Sequence, residues 1–68
     1  MKYTVVFEKA PANFAAYVPD LPGCVATGST PEEVETLIRE AIGYQLEALR
    51  ENGEPQPVAE AWAELIEA

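Results

Sequence analysis

Short stretches near the start of the chain alternate between two sets of side chains, and β-branched and aromatic types dominate them. Residues 2–8 and 14–18 follow this period of two, and residues 9–13 between them contain proline and asparagine. The pattern predicts two strands joined in an antiparallel hairpin. Residues 24–28 follow Gly23 and end at Gly28, and they predict a third strand, which gives a three-stranded meander. In the first strand, one side carries Tyr3, Val5 and Phe7, and the other carries Thr4, Val6 and Glu8.

A proline-rich stretch connects the second and third predicted strands. Pro19 ends the second strand and keeps Val18 out of the helical region. Pro22 presets φ for the first corner of a turn, and Gly23 accepts the positive φ that a type II turn requires at the second. Pro19, Pro22 and Gly23 are therefore predicted to be structural.

A one-sided apolar stripe of helical period predicts a helix from residue 31 to about residue 52. Thr30 is the predicted N-cap, with its hydroxyl accepting from the N–H of Glu33 and the Glu33 carboxylate reaching back to the N–H of Thr30. Pro31 suits the first helical position, and Gly53 suits the residue after the helix end. Tyr44 lies at the margin of the stripe, whose members are Val34, Leu37, Ile38, Ala41, Ile42, Leu46 and Leu49.

The last segment, residues 58–68, is compatible with two structures. A helical stripe would contain Val58, Ala61, Trp62, Leu65 and Ile66, and Ala and Glu favour helix. A strand is also possible, because Trp62, Glu64 and Ile66 alternate with Ala63, Leu65 and Glu67. The pattern alone leaves both open and leans slightly to helix.

The length of 68 residues predicts one domain over residues 1–68, and such a chain buries only about 60% of its unfolded surface. Four basic and twelve acidic residues give a net charge of −8, which argues against direct binding of nucleic acid. The charge suits a basic protein partner, although it can also serve solubility alone.

Candidate chemistry is sparse. The chain has no histidine and one cysteine, Cys24, so we expect no catalytic nucleophile pair, internal disulfide, metal site or cofactor, and a buried role for Cys24. The apolar run at the start is too short for a signal peptide or a membrane span, which predicts a cytoplasmic protein.

A single helix covers only one face of a small sheet. The opposite face carries Val6, Ala15 and Tyr17 and is partly apolar. Apolar surface left open on a small acidic domain predicts an interface with a second copy, with another protein, or with both.

One long pattern resembles the HicB family of type II antitoxins and covers almost the whole chain. It comprises Tyr17-x-Pro19-Asp20-Leu21-Pro22-Gly23-Cys24, Thr27-Gly28-x-Thr30-x-Glu32-Glu33, Glu40-Ala41-Ile42 and Gly53-Glu54-x-x-Pro57. The departures are Pro31 and Val34, where the family usually has an aliphatic residue and a small alanine. The resemblance implies an α+β, partial RNase H-like fold, ββ-β-α-β with sheet order 3-2-1-4. Residues 62–67 would then form a short fourth strand parallel to the first.

The resemblance also implies a function. In the family, this module masks a small basic HicA ribonuclease that cuts mRNA, and many members carry a further C-terminal domain that binds DNA. This chain stops at Ala68 without such a domain, so a short stand-alone form is expected and family-style autorepression is in doubt.

Three functions follow from these observations. The first is a non-enzymatic binding module for a HicA-like toxin. The second is a stand-alone homodimer or homotetramer without a toxin. The third, disfavoured, is a metal-dependent nuclease using Glu8, Asp20 and Glu64, because the first strand offers apolar residues where that chemistry needs an acid. The candidate exposed partner-binding residues are Tyr17, Asp20, Leu21, Glu40 and Glu47, with a purely structural or solvated role as the alternative for each.

Overall fold

The computed structural model describes residues 2–68. Three strands precede one long helix: β1 (Val6–Lys9), β2 (Phe14–Tyr17), β3 (Val25–Gly28) and α1 (Pro31–Glu51). The sheet has the order β1-β2-β3, and both neighbouring pairs are antiparallel. The predicted α+β meander followed by a helix is therefore confirmed.

The strand register separates two faces of the sheet. Phe7 pairs with Ala16, which pairs with Ala26, and these residues lie on the face toward α1. Because successive side chains alternate in a strand, the residues between them point to the opposite face.

The helix covers only part of its own face of the sheet. It packs on β3 and β2, and no close backbone approach to β1 occurs within residues 2–68. The core therefore lies between α1, β2, β3 and the turn that joins those strands. Its buried members are Ala16, Val18, Leu21, Cys24, Val34 and Ile38.

The turn between β2 and β3 has the predicted form. The N–H of Cys24 donates to the carbonyl of Leu21 at 3.1 Å, and Gly23 has φ of 76°. A preceding turn closes with the N–H of Leu21 donating to the carbonyl of Val18, also at 3.1 Å. These two turns hold the Leu21 side chain in the core.

The helix ends follow their sequence signals with one difference. The N–H of Glu33 donates to Thr30 Oγ1 at 3.1 Å, as predicted for the N-cap. The Glu33 carboxylate accepts from the N–H of Ser29 at 2.6 Å, so its predicted partner, the N–H of Thr30, is wrong by one residue. Gly53 has φ of 71°, and the N–H of Glu54 donates to the carbonyl of Leu49 at 2.9 Å. This is the Schellman arrangement that a glycine after the helix permits.

The predicted fourth strand is wrong, and so is the helical alternative. No helix or strand includes residues 54–68. The backbone of this segment is held instead by side chains from the rest of the domain. Asp20 Oδ2 accepts from the N–H of Glu60 at 3.0 Å and from the N–H of Ala61 at 2.9 Å. Thr4 Oγ1 donates to the carbonyl of Ala61 at 2.6 Å. Trp62 and the residues after it are exposed, so burial of apolar area does not favour one ordered strand there.

Candidate protein-binding surfaces

The acids considered for a nuclease do not form a metal site. Within residues 2–68, no cluster of three or more His, Cys, Asp or Glu side chains could hold a metal ion. The Asp20 carboxylate is occupied by two backbone N–H groups, and the Glu64 carboxylate accepts from the indole N–H of Trp62 at 2.7 Å. Glu8, Asp20 and Glu64, the acids named for the disfavoured nuclease, are therefore not part of any such cluster among the described residues.

Two of the five predicted partner-binding residues, Leu21 and Asp20, are not exposed as expected. Leu21 is only 1% exposed and is one of the largest fully buried side chains, so the expectation that it is exposed is wrong. The physical reason is the pair of tight turns around it, which directs an apolar side chain into the core. Asp20 is half-buried and fastens the backbone of Glu60 and Ala61. Its carboxylate thus has a structural function.

The other three predicted residues are exposed, but they lie on different sides of the domain. Tyr17 is 39% exposed on the sheet face that α1 does not cover. Glu40 and Glu47 are exposed on α1. A small partner bound to the outside of α1 would therefore not contact Tyr17 at the same time.

The outer side of α1 carries a continuous line of exposed residues, which we call the outer stripe. It comprises Leu37, Glu40, Tyr44, Glu47 and Glu51, all of which are exposed. Their spacings of three or four residues place them along one side of a helix. Sequence reasoning assigned Leu37 to the core and Tyr44 to the core margin, yet Tyr44 is 75% exposed. In the sequence, the members of this line follow one another at spacings of three, four, three and four residues, which is the signal that could have identified it.

The uncovered side of the sheet carries a second surface, which we call the open sheet face. Val6 pairs with Tyr17, and Tyr17 pairs with Val25, so the three side chains form one row across the strands. Val6 is half-buried, whereas Val25 is among the exposed large apolar residues. The predicted apolar character of this face is confirmed for Val6 and Tyr17, and Val25 extends it.

A third feature is an open groove where α1 leaves β1 uncovered. Its volume is about 420 Å³, and its walls combine aromatic rings with charged groups. The groove follows from the position of α1 over β2 and β3 only. Its lining residues are Phe7, Glu8, Lys9, Phe14, Pro31, Glu32 and Glu35.

Cys24 is buried, as predicted, and burial raises the pKa of its thiol above the ordinary value. Because the thiolate is the reactive form, we expect a thiol reagent such as Ellman's reagent to label the folded protein far more slowly than the urea-unfolded protein. Stopped-flow absorbance measures both rates. Equal rates in the two states would contradict the buried position.

The raised pKa of the Cys24 thiol also makes the stability of the folded protein depend on pH. A raised pKa in the folded state means that the folded protein favours the protonated thiol. The contribution of Cys24 to stability is fully present below the pKa of the unfolded thiol, and it is lost as pH rises through the folded-state pKa. Denaturation curves of the wild type and of Cys24→Ala at several alkaline pH values separate the contribution of Cys24 to the free energy of unfolding from the contributions of the other titrating groups.

A small acidic α+β domain with an exposed stripe on its helix and an open apolar sheet face has the features of a protein-binding module. The family comparison then gives the particular group. The profile described as HicB-like antitoxin of bacterial toxin-antitoxin system matches residues 3–68, so the chain belongs to the HicB-like antitoxin family.

Two relatives and one solved structure illustrate the similarity. The chain is 40% identical over 58 residues to UPF0150 protein Ta0767 of Thermoplasma acidophilum, covering 84% of each chain. It is 35% identical over 57 residues to an uncharacterized 14.9 kDa protein in the rep-hol intergenic region of Haemophilus phage HP1, covering 84% of this chain and 43% of the phage protein. The chain thus spans less than half the length of the phage relative.

The structural comparison points to the same family. The chain is similar to HicB3 in a HicA3 and HicB3 toxin-antitoxin complex, with a TM-score of 0.67 and 33% sequence identity. The match covers 81% of this chain and 64% of the solved chain. No helix within residues 2–68 is both long enough and apolar enough to span a membrane.

Proposed function

We propose that this chain is an antitoxin-type binding module that neutralises a small, basic, HicA-type toxin that cleaves mRNA. The observation that carries the proposal is the similarity to HicB3, whose solved structure is a complex with a HicA3 toxin. The role is binding rather than catalysis, and it would be exercised in the cytoplasm, where mRNA is translated.

The electrostatics of the chain support a basic partner. A net charge of −8 on 68 residues attracts a cationic protein over distances of about 8 Å at physiological salt, which favours rapid association. Of the residues predicted from the sequence to contact the partner, Glu40, Glu47 and Tyr17 have the exposure that contact requires. Asp20 would act indirectly, by holding residues 60 and 61 in place.

Co-expression tests the proposal directly. The chain is produced together with a HicA-type ribonuclease, with an affinity tag on the ribonuclease only. We expect the two proteins to co-purify in a defined ratio and RNA cleavage by the ribonuclease to be suppressed. Independent elution of the two proteins with undiminished cleavage of RNA would refute the proposal.

A stand-alone homodimer or homotetramer without a toxin is the second candidate, and the open sheet face favours it. The row of Val6, Tyr17 and Val25 offers adjacent apolar side chains that a second copy could cover across a two-fold axis.

This candidate makes its own prediction. If copies associate through the open sheet face, Val25→Glu should convert the dimer or tetramer to a monomer, because it places a charge in each copy of the buried row. Light scattering on the eluting peak measures the mass. Thr27→Glu is the matched control on the same face, because Thr27 lies beside Ala15 rather than in the apolar row. A wild-type monomer at micromolar concentration would exclude this assembly.

A further inference from the structure

We propose that the outer stripe of α1 is the surface on which the toxin docks, with Tyr44 as the anchor residue. The inference rests on the proposed function and adds to it the contact surface, the anchor and the chemistry of the partner's complementary patch. That patch would be basic and would contain an apolar recess that accepts one aromatic ring.

The exposure of Tyr44 is the first observation. Its side chain is 75% exposed in the middle of a helix, although a tyrosine ring is a large apolar group. Leu37, seven residues earlier on the same stripe, is also exposed, at 39%. Tyrosine is enriched among the residues that dominate binding at protein interfaces, because it buries a large rigid ring at a small cost in conformational entropy. The stripe thus presents an aromatic anchor with an aliphatic neighbour.

Gly43 is the second and independent observation. It lies inside α1, where glycine is unfavourable relative to alanine, and it has a helical rather than a left-handed backbone. A Cβ at this position would meet nothing within 4 Å among the described residues. Packing within the domain therefore does not account for the glycine. A helix surface without a Cβ allows the backbone of a partner to approach closely, beside Glu40 three residues before and Glu47 four residues after.

Charge is the third observation, and it differs between the outer stripe and the open sheet face. The outer stripe carries Glu40, Glu47 and Glu51 around its two apolar members. Glu40 takes part in neither of the ion pairs of the described residues, and Glu47 pairs with Arg50 at 3.0 Å in an exposed, weak interaction. The central row of the open sheet face is apolar. A basic partner is therefore better matched by the helix than by the sheet.

The experiment compares two tyrosines on opposite sides of the domain. Binding of the HicA-type ribonuclease to the wild type, Tyr44→Ala and Tyr17→Ala is measured by isothermal titration calorimetry, and melting temperatures are measured by circular dichroism. We expect Tyr44→Ala to weaken binding about 30-fold or more with an unchanged melting temperature, as for a hot-spot residue. Tyr17→Ala should stay within about threefold of the wild type.

A further variant replaces Gly43. Gly43→Ala should raise the melting temperature, because alanine is the better helix former, and should weaken binding, because its methyl group holds the partner away. A structural role for Gly43 would predict loss of stability instead. Opposite signs of the two effects therefore support the docking surface.

The outcomes distinguish this inference from the proposed function. Failure of the wild type to bind the ribonuclease would overturn the proposed function and this inference with it. Wild-type binding that Tyr44→Ala leaves intact would overturn the inference alone. Loss of binding in Tyr17→Ala with full binding in Tyr44→Ala would assign the toxin to the open sheet face and likewise overturn it.

Discussion

Replacement of Leu21 by alanine is expected to lower the free energy of unfolding by about 2–5 kcal/mol, the usual range for removing a buried leucine side chain. Leu21 is only 1% exposed, and two tight turns fix its backbone, so the cavity cannot collapse easily. A domain of this size is stable by roughly 3–10 kcal/mol in total. The variant should therefore melt far below the wild type or be partly unfolded at room temperature.

Urea denaturation followed by circular dichroism measures this effect. The matched control is Leu37→Ala, which makes the same chemical change at a position that is 39% exposed and should cost about 1 kcal/mol or less. Equal losses at the two positions would contradict the assignment of Leu21 to the core. A Leu21→Ala protein of wild-type stability that fails to bind a partner would instead return Leu21 to the set of contact residues.

The double substitution Glu40→Lys and Glu47→Lys is expected to weaken binding of the HicA-type ribonuclease about 100-fold, because like charges placed opposite each other at an interface cost several kcal/mol. Both side chains are exposed, so the fold should tolerate the change. Lysine is also a good helix former, and the loss of the Glu47 to Arg50 ion pair removes only a weak surface interaction. RNA cleavage in the presence of the variant should return.

The control changes the net charge equally at another place. Glu54→Lys with Glu67→Lys alters two exposed acids that lie outside α1. Calorimetry at two salt concentrations separates the long-range attraction, which both variants lose and which salt screens, from the local contact. If both double variants weaken binding equally, the attraction is due to net charge alone and the outer stripe has no special part in it.

Local signals in the sequence were sufficient for most of the secondary structure. The Pro22-Gly23 turn, the Thr30 cap and the Gly53 terminus each depend on residues within about six positions of one another, and the structure confirms all three. The helix begins at Pro31 as predicted and ends at Glu51, one residue from the predicted end. Such features depend on backbone geometry that a few neighbouring residues impose on their own.

Two features depended on contacts between distant parts of the chain. The capture of residues 57–61 by Tyr3, Thr4 and Asp20 and the exposure of the outer stripe follow from how the elements pack. Periodicity assigned Leu37 to the buried stripe, yet its side chain is 39% exposed in the folded domain.

The meander, the long helix, the acidic charge and the family of the chain could all be predicted from residue order, because they depend on periodicity, turn chemistry and composition. Tertiary structure decided which apolar residues are buried and which are left for a partner, and it replaced an expected fourth strand with a segment held by side-chain hydrogen bonds. The physical reason is that hydrophobic burial and long-range hydrogen bonds depend on relative positions in space, which neighbouring residues do not specify.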